Sequence, residues 1–594
     1  VQVPSCSTAL VHAAPILLTR ECVGLSFPLT KAFSVSALTM LPVLDGWDPN
    51  DYSHILPVPN GQMRNGSITL SVSHTLSVSF NCSSPLMKVA AARYFDRIIF
   101  AWGEPSKAAR APSLGSLRIE LGDTDEVSPQ LGMDESYTLE VPAASNGTAI
   151  LRAPAVWGAL RGLETLAQLI EYEPGGGYLL RWAPWSIADK PQWPHRGLLI
   201  DTARHWLPVD AIKRQIDALA ATKMNTLHWH AVDGDSFPLE LETFPALAAR
   251  GSFSQGVYRM TYTVQEQKNI VEYARLRGVR IVLELDLPGH SDVWALGAPT
   301  AAFLACPGEA HGAAMLDVTS KAAYSFVDAL IGEITSRFPD RVFHLGGDEV
   351  NPRCWDSSAS VRAWLAAHPD VRLDELYSRY MLRAYQLLAW HNRTGMAWNP
   401  GLTSALNYSV NGTEAGRGSL PVSAIAHLWS SAEIGPILAQ GHRTVMSMGY
   451  YFSAAPTISE HETTWEGEYA RDPACWNPSS SSTCLWARPE AEHIRFLGAE
   501  ATQWGEATDD YNIDQKTWFR LPALAERLWT SNSSLKVYGI NLSMITYATR
   551  DVTARLIKHR CRLLQRGIQA QAYAGGGLAS RSKWQQCQGW LPKY

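Results

Sequence analysis

The sequence predicts an α/β protein, a (β/α)8 TIM barrel preceded by a small α+β domain. Three observations carry this. From Arg196 onward, short apolar segments alternate eight times with helical ones over roughly 330 residues, enough for a barrel of about 250 residues plus insertions. The first strand, "GLLIDTAR", runs into "HWLP" and lacks the Gly-rich turn of the rival doubly wound sheet. Each strand starts apolar and ends polar or aromatic, and a barrel gathers all such ends at one face.

Residues 1–54 form an N-terminal extension, a signal segment, propeptide or unassigned stretch; "AFSVSALTMLPVL" after Lys31 resembles a signal-peptide apolar region. Residues 55–190 read as the α+β domain. "SITLSVS" and "SYTLEV" alternate as half-buried strands, and "VWGALRGLETLAQLIEY" has helical spacing until "PGGGY" breaks it. Residues 191–594 hold the barrel and a C-terminal tail. Its expected strands are 197–204, 225–233, 279–290, 342–350, 395–400, 424–430, 444–453 and 499–506. Their ends carry Asp201 and Arg204, His230 and Asp233, His290, Asp348 and Glu349, Trp398, Trp429, Tyr451, then Trp504 and Glu506. Asp201 and Arg204 are read either as a structural ion pair or as site residues, Asp286 likewise, Trp429 as wall or core, and His344 as a packed core histidine.

The 594 residues are 46% hydrophobic and 18% charged, with a net charge of −5. That balance gives no sign of a nucleic-acid partner. No apolar run reaches the roughly 18 residues of a membrane span. Eight sequons, at Asn65, Asn81, Asn146, Asn392, Asn407, Asn411, Asn532 and Asn541, point to the secretory pathway, as do nine cysteines. Cys475 and Cys484 flank a Ser/Pro loop as a candidate bridge, and Cys561 and Cys587 can staple the tail. No Cys/His set has zinc spacing. His228 and His230 share a strand face without an evident third ligand, so no metal or other cofactor is expected.

A mouth of carboxylates, aromatics and an Arg suits carbohydrate cleavage. Ordinary glycosidases place two carboxylates across the scissile bond. The adjacent Asp348 and Glu349 of "HLGGDEV" fit a substrate-assisted route better. There the substrate's 2-acetamido oxygen is the nucleophile; one carboxylate protonates the leaving oxygen and the other holds the acetamido group.

The ordered stretches "HRGLLIDTARHWLPV", "LHWHAVDGDSFP", "ELDLPGH", "HLGGDEV", "AEATQWGE" and "LAERLW" resemble the β-N-acetylhexosaminidases of glycoside hydrolase family 20, from about residue 55 to 575. The resemblance implies an exo-acting enzyme that removes terminal β-linked GlcNAc, and GalNAc, with retention through an oxazolinium ion. Glu349 would be the general acid/base, its pKa raised by Asp348 and burial. Asp348 would hold the acetamido N–H and Tyr451 its oxygen, with Tyr450 a nearby rival. Asp233 and His290 would relay to the acid. Arg196 would grip the 3- and 4-hydroxyls, and Glu506 the 4- or 6-hydroxyl. Trp398, Trp429 and Trp504 would wall the sugar. The resemblance also implies a Cys306–Cys354 disulfide and a homodimer, in the extracellular space or a lysosome or vacuole. Cys82 lacks its usual partner and can pair with Cys22 or Cys6 or stay free. Ser453 stands where the family often has an Asp, and Phe452 is apolar where one isoform carries an Arg. The rival readings are a catalytically weak glycan-binding relative, and a chitin endo-hydrolase, whose DxxDxDxE strand is missing.

Overall fold

The computed structural model describes residues 55–101, 112–173, 175–298, 305, 315–412, 418–430, 434–453, 464–476, 483–538, 540, 550–572 and 587. The 1–54 extension therefore lies outside the described residues, as do Cys306 and Asn541.

The first part is one eight-stranded sheet. Its strands are β1 (Gln62–Arg64), β2 (Ile68–Phe80), β3 (Ser113–Leu121), β4 (Tyr137–Val141), β5 (Gly147–Ala153), β6 (Ile170–Glu173), β7 (Gly177–Ala183) and β8 (Trp185–Asp189), in the order β1-β8-β4-β5-β3-β2-β7-β6. The helix Val156–Leu169 lies on it, with Leu160, Leu163 and Leu166 in the same core as Leu117, Leu139 and Leu151. Their recurrence every three or four residues is the apolar stripe that forms this helix.

The second part is the barrel. Eight parallel strands, β9 (His195–Asp201), β10 (Thr226–Val232), β11 (Arg280–Leu285), β12 (Val342–His344), β13 (Thr394–Trp398), β14 (Ile425–Leu428), β15 (Arg443–Met446) and β16 (Phe496–Gln503), close β16 onto β9. Strands β9, β10, β11 and β16 are buried throughout, because helices cover one face and the barrel interior the other. Thr263 opens the helix Val264–Arg275 with a capping box to Glu266, and Gly278, at φ 64°, turns the chain back into β11.

Inside the barrel, Val282, Val342, Met396, Ile425, Val445 and Leu497 form an apolar layer. Side chains alternate along a strand, so two residues further on the chain faces inward again. Four of those six positions are Glu284, His344, Trp398 and His427, all fully buried. A polar layer thus sits between an apolar floor and the mouth.

Strand β12 is shorter than the sequence pattern predicts. It stops at His344 because Gly346 (φ 66°) and Gly347 (φ 91°) leave the extended region, and Glu349 follows at φ 49°. A Cβ at Gly346 would overlap the Asp286 carboxylate, so only glycine fits there. The alternation that would send Asp348 and Glu349 to opposite faces is therefore lost before the chain reaches them.

Disulfides join Cys475 to Cys484 and Cys561 to Cys587, and Cys354 is also disulfide-bonded. Cys82 is a free thiol. Of the sequons, Asn81, Asn146, Asn392, Asn407 and Asn411 are exposed and Asn65 is half-buried. Asn532 is tied to Asp472 and Arg527. No described helix is long and apolar enough to cross a membrane.

Candidate active site

The mouth is built from strand ends, as the pattern predicts, with one reassignment. Arg196 is not there. It is the second residue of the seven-residue strand β9 and lies at the opposite, N-terminal end of the barrel, fully buried. Its guanidinium bonds Glu135 (2.6 Å) and the carbonyls of Lys223 and Trp193, and faces the Trp529 ring. Glu135 also holds Arg161 (2.9 Å) and Asn225 (3.0 Å). Arg196 is thus part of the seam with the N-terminal sheet, beside the buried Lys223–Asp189 pair (2.9 Å). Removing one partner of such a network strands the other. Arg196→Met is expected to lower stability by about 3–5 kcal/mol in urea unfolding while leaving KM unchanged in the folded fraction.

The arginine at the mouth is Arg204. It contacts Asp201 (3.2 Å), Asp233 (2.8 Å) and Asp235 (3.3 Å), and its guanidinium lies 5.4 Å over the Trp504 ring. Only the side of a strand's C-terminal end reaches this face, a criterion that separates Arg204 from Arg196.

Asp233 and His290 meet as expected, Oδ1 to Nδ1 at 3.0 Å. His290 Nε2 lies 3.5 Å from Glu349 Oε2 and 3.9 Å from Asp286 Oδ2. Burial opposes a charge on His290, but Asp286, Asp233 and Glu349 overcome it and raise its pKa. Asp233 is held below the carboxylate range, its burial outweighed by His230 and His290. Glu349 differs from expectation. Its side chain is 65% exposed, and contact with His290 lowers its pKa. The expected rise required burial that the open mouth does not supply.

Asp348 has the raised pKa instead. Burial and the Asp286 carboxylate push it well above the usual range, and it shares a hydrogen bond with Asp286. Asp286, itself buried and raised, also accepts from the Gly347 N–H (2.8 Å). Among the described residues, Asp348 Oδ1 is buried without a hydrogen-bond partner. Burial and the Asp348 carboxyl raise the pKa of the Tyr451 phenol, which stays protonated. Tyr450 is fully buried in the core beside Arg471, so the mouth tyrosine is Tyr451. Phe452 is also core, under the Arg520 guanidinium at 4.3 Å.

Of the three tryptophans expected to wall the sugar, Trp429 and Trp504 are half-buried at the mouth, whereas Trp398 is fully buried beneath it. Trp504 lies 5.8 Å from Trp398 and 6.5 Å from Tyr451 between ring centroids. Trp398 stacks on His427 at 4.1 Å and donates to Glu284 (2.9 Å). Trp429 is half-buried, with its indole nitrogen unpartnered. Glu506 is exposed, and its charge acts on Arg204.

Below the mouth lies a set of residues the sequence reading did not assemble. Glu284 contacts His228 (3.0 Å), His230 (2.7 Å) and His344 (3.0 Å). Glu500 contacts His228 and His195, both at 2.7 Å. Burial opposes charge on His228, but Glu500 and Glu284 raise its pKa to about 9. The signal available was a Glu amid the apolar residues of each of two strands, "RIVLEL" and "FLGAEATQ". Nitrogens of His228, His344 and His427 approach within 4.8 Å of one another. However, His344 and His427 bond each other (3.2 Å) and His228 lies between two carboxylates, so the cluster reads as a proton network.

Fold and mouth together define a barrel hydrolase with neighbouring carboxylates against an aromatic wall, the equipment of a carbohydrate-cleaving enzyme. The comparisons narrow this. The family model "Glycosyl hydrolase family 20, catalytic domain" matches residues 193–532, and "beta-acetyl hexosaminidase like" matches 55–169. Human beta-hexosaminidase subunit beta is 31% identical over 564 residues, covering 92% of this chain and 91% of the relative. Beta-hexosaminidase 1 of Arabidopsis thaliana is 32% identical, covering 87% and 90%. The chitobiase structure from Flavobacterium johnsoniae superposes with a TM-score of 0.69 at 27% identity, covering 87% of this chain and 73% of that one. The chain belongs to glycosyl hydrolase family 20. It is a glycoside hydrolase of the β-hexosaminidase type.

Proposed function

We propose that the protein is an exo-acting β-N-acetylhexosaminidase that removes terminal non-reducing GlcNAc, and GalNAc, with retention through an oxazolinium intermediate. The observation that carries this is the contrast between two adjacent carboxyls. Asp348 turns inward beside Tyr451 with a free buried oxygen, whereas Glu349 points into the open mouth under His290. That arrangement suits one group at the acetamido and one at the glycosidic oxygen, on the same sugar.

In this reading Glu349, protonated from the Glu349–His290 pair, gives its proton to the leaving oxygen as the acetamido oxygen attacks C1. Asp348 accepts from the acetamido N–H and offsets the charge of the oxazolinium ion. Tyr451 donates to the acetamido oxygen. Glu349 then takes a proton from water, which opens the ring from the same face and restores the β configuration. Arg204, with Glu506 beside it, takes the hydroxyl-gripping role at the mouth. Trp429 and Trp504 wall the sugar, with the fully buried Trp398 packed behind Trp504. The family resemblance extends the reading to a homodimer, tested by sedimentation. Disulfides fit an oxidising compartment, and with the exposed sequons they support a secreted or lysosomal glycoprotein.

The test is 4-nitrophenol release from the β-GlcNAc, β-GalNAc and β-glucose derivatives, with the first-formed anomer read by proton NMR. Cleavage of the two N-acetyl sugars, with the β-anomer appearing first, is expected. Equal cleavage of the glucoside or an α-anomer product rules out acetamido participation. Binding without cleavage points to the glycan-binding relative.

A further inference from the structure

The Asp233–His290 pair does not end at Asp233. Its second oxygen, Oδ2, meets His230 Nε2 at 2.8 Å, and His230 Nδ1 meets Glu284 Oε2 at 2.7 Å. Acid and imidazole therefore alternate from the solvent-exposed Glu349 through His290, Asp233 and His230 to the fully buried Glu284. An imidazole between two carboxylates must donate from both nitrogens to satisfy both, so it carries a positive charge there. Glu284 is held in turn by His228, His344 and the Trp398 indole.

From this geometry we infer that Glu284 and His230 are positioning residues for the acid. Glu284 keeps the proton on His230, and the charged His230 limits how strongly Asp233 draws the proton of the His290–Glu349 pair away from Glu349. This inference rests on the proposed role of Glu349 and deepens it. The charged groups facing the chain are Arg204, which lies on Asp233 and 3.3 Å from His230 Nε2, Asp201 near His230, Asp286 and Asp348 near His290, and His228 and His344 on Glu284.

The sign of the effect separates this relay from its alternatives. His230→Gln removes a positive charge beside Asp233, so the pair should bind its proton more tightly. The alkaline limb of kcat/KM is then expected to rise by about half a pH unit or more, with kcat lowered and KM little changed. Glu284→Gln should act in the same direction, more weakly, because it lets His230 lose its proton. If Glu284 acted only as a distant negative charge, its removal would lower the limb. A packing role alone would reduce stability or kcat and leave the limb in place. A lowered or unmoved limb in Glu284→Gln overturns the relay; should that variant fail to fold, an unmoved limb in His230→Gln does the same. The same titration is followed at His290 by nitrogen-15 NMR of the unliganded protein. If the wild type cleaves none of the three glycosides, the catalytic reading fails by itself. The NMR shift of His290 in the two variants still decides whether the relay exists.

Discussion

Glu349→Gln is expected to lower kcat on a β-linked GlcNAc disaccharide by about 10²–10⁴-fold, the usual contribution of a general acid. The variant should remain folded, because the side chain is 65% exposed and, among the described residues, its ion-pair partner is His290 alone. Stability should change by no more than about 0.5 kcal/mol. The leaving group sharpens the test. A sugar alkoxide cannot depart unprotonated, whereas 4-nitrophenolate can. The loss on the 4-nitrophenyl glycoside should therefore be much smaller than on the disaccharide at the glycosylation step. Equal losses on both would remove Glu349 from the role of acid and leave it a binding residue.

Asp348→Asn is expected to cost about 10²–10³-fold in kcat on both substrates alike, because an amide, unlike the carboxyl, cannot ionise to offset the oxazolinium charge, while the leaving-group side stays intact. Its effect on stability should have the opposite sign. Asp348 is raised well above the ordinary aspartate value by burial and by Asp286. The folded state therefore binds a proton that the unfolded state has released. Stability from this group is fully present below about pH 4 and declines as pH climbs toward the raised value. The Asn variant has no such proton, and its urea midpoint should fall less between pH 4 and 7 than that of the wild type. A steeper fall in the variant would mean that Asp348 is ionised in the folded protein. A more stable, less active variant is the trade expected where a site holds a carboxyl under tension for chemistry.

Much of the site was legible because strand ends are local. The polar residues closing the strands can be read from the sequence, and barrel topology places them together without further information. Arg196 and Arg204 show the limit of motif matching. They are eight residues apart, one near the start of a strand and the other just past its end, and a strand of seven residues sends its two ends to opposite faces of the barrel. The protonation states were less legible. Glu349 and Asp348 are adjacent in sequence yet shifted in opposite directions, because exposure and the placement of His290 and Asp286 are tertiary facts. Glu284 and Glu500 were hidden for a related reason. A carboxylate inside a buried strand has meaning only once the imidazoles from other strands are known to reach it, and those come from positions 54 to 305 residues away.

The seam beneath the barrel bears on how this protein could be taken apart or recombined. Glu135, from the chain segment before β4, neutralises Arg196 of the barrel, and Asp189, the last residue of the N-terminal sheet, neutralises Lys223 and accepts from the Trp529 indole. A chain beginning at Pro191 would carry two buried cations with no counter-charge. Its catalytic half is therefore not an interchangeable module. Grafting it onto another leading domain would have to bring Glu135 and Asp189 along, or replace Arg196 and Lys223 by neutral residues in the same step.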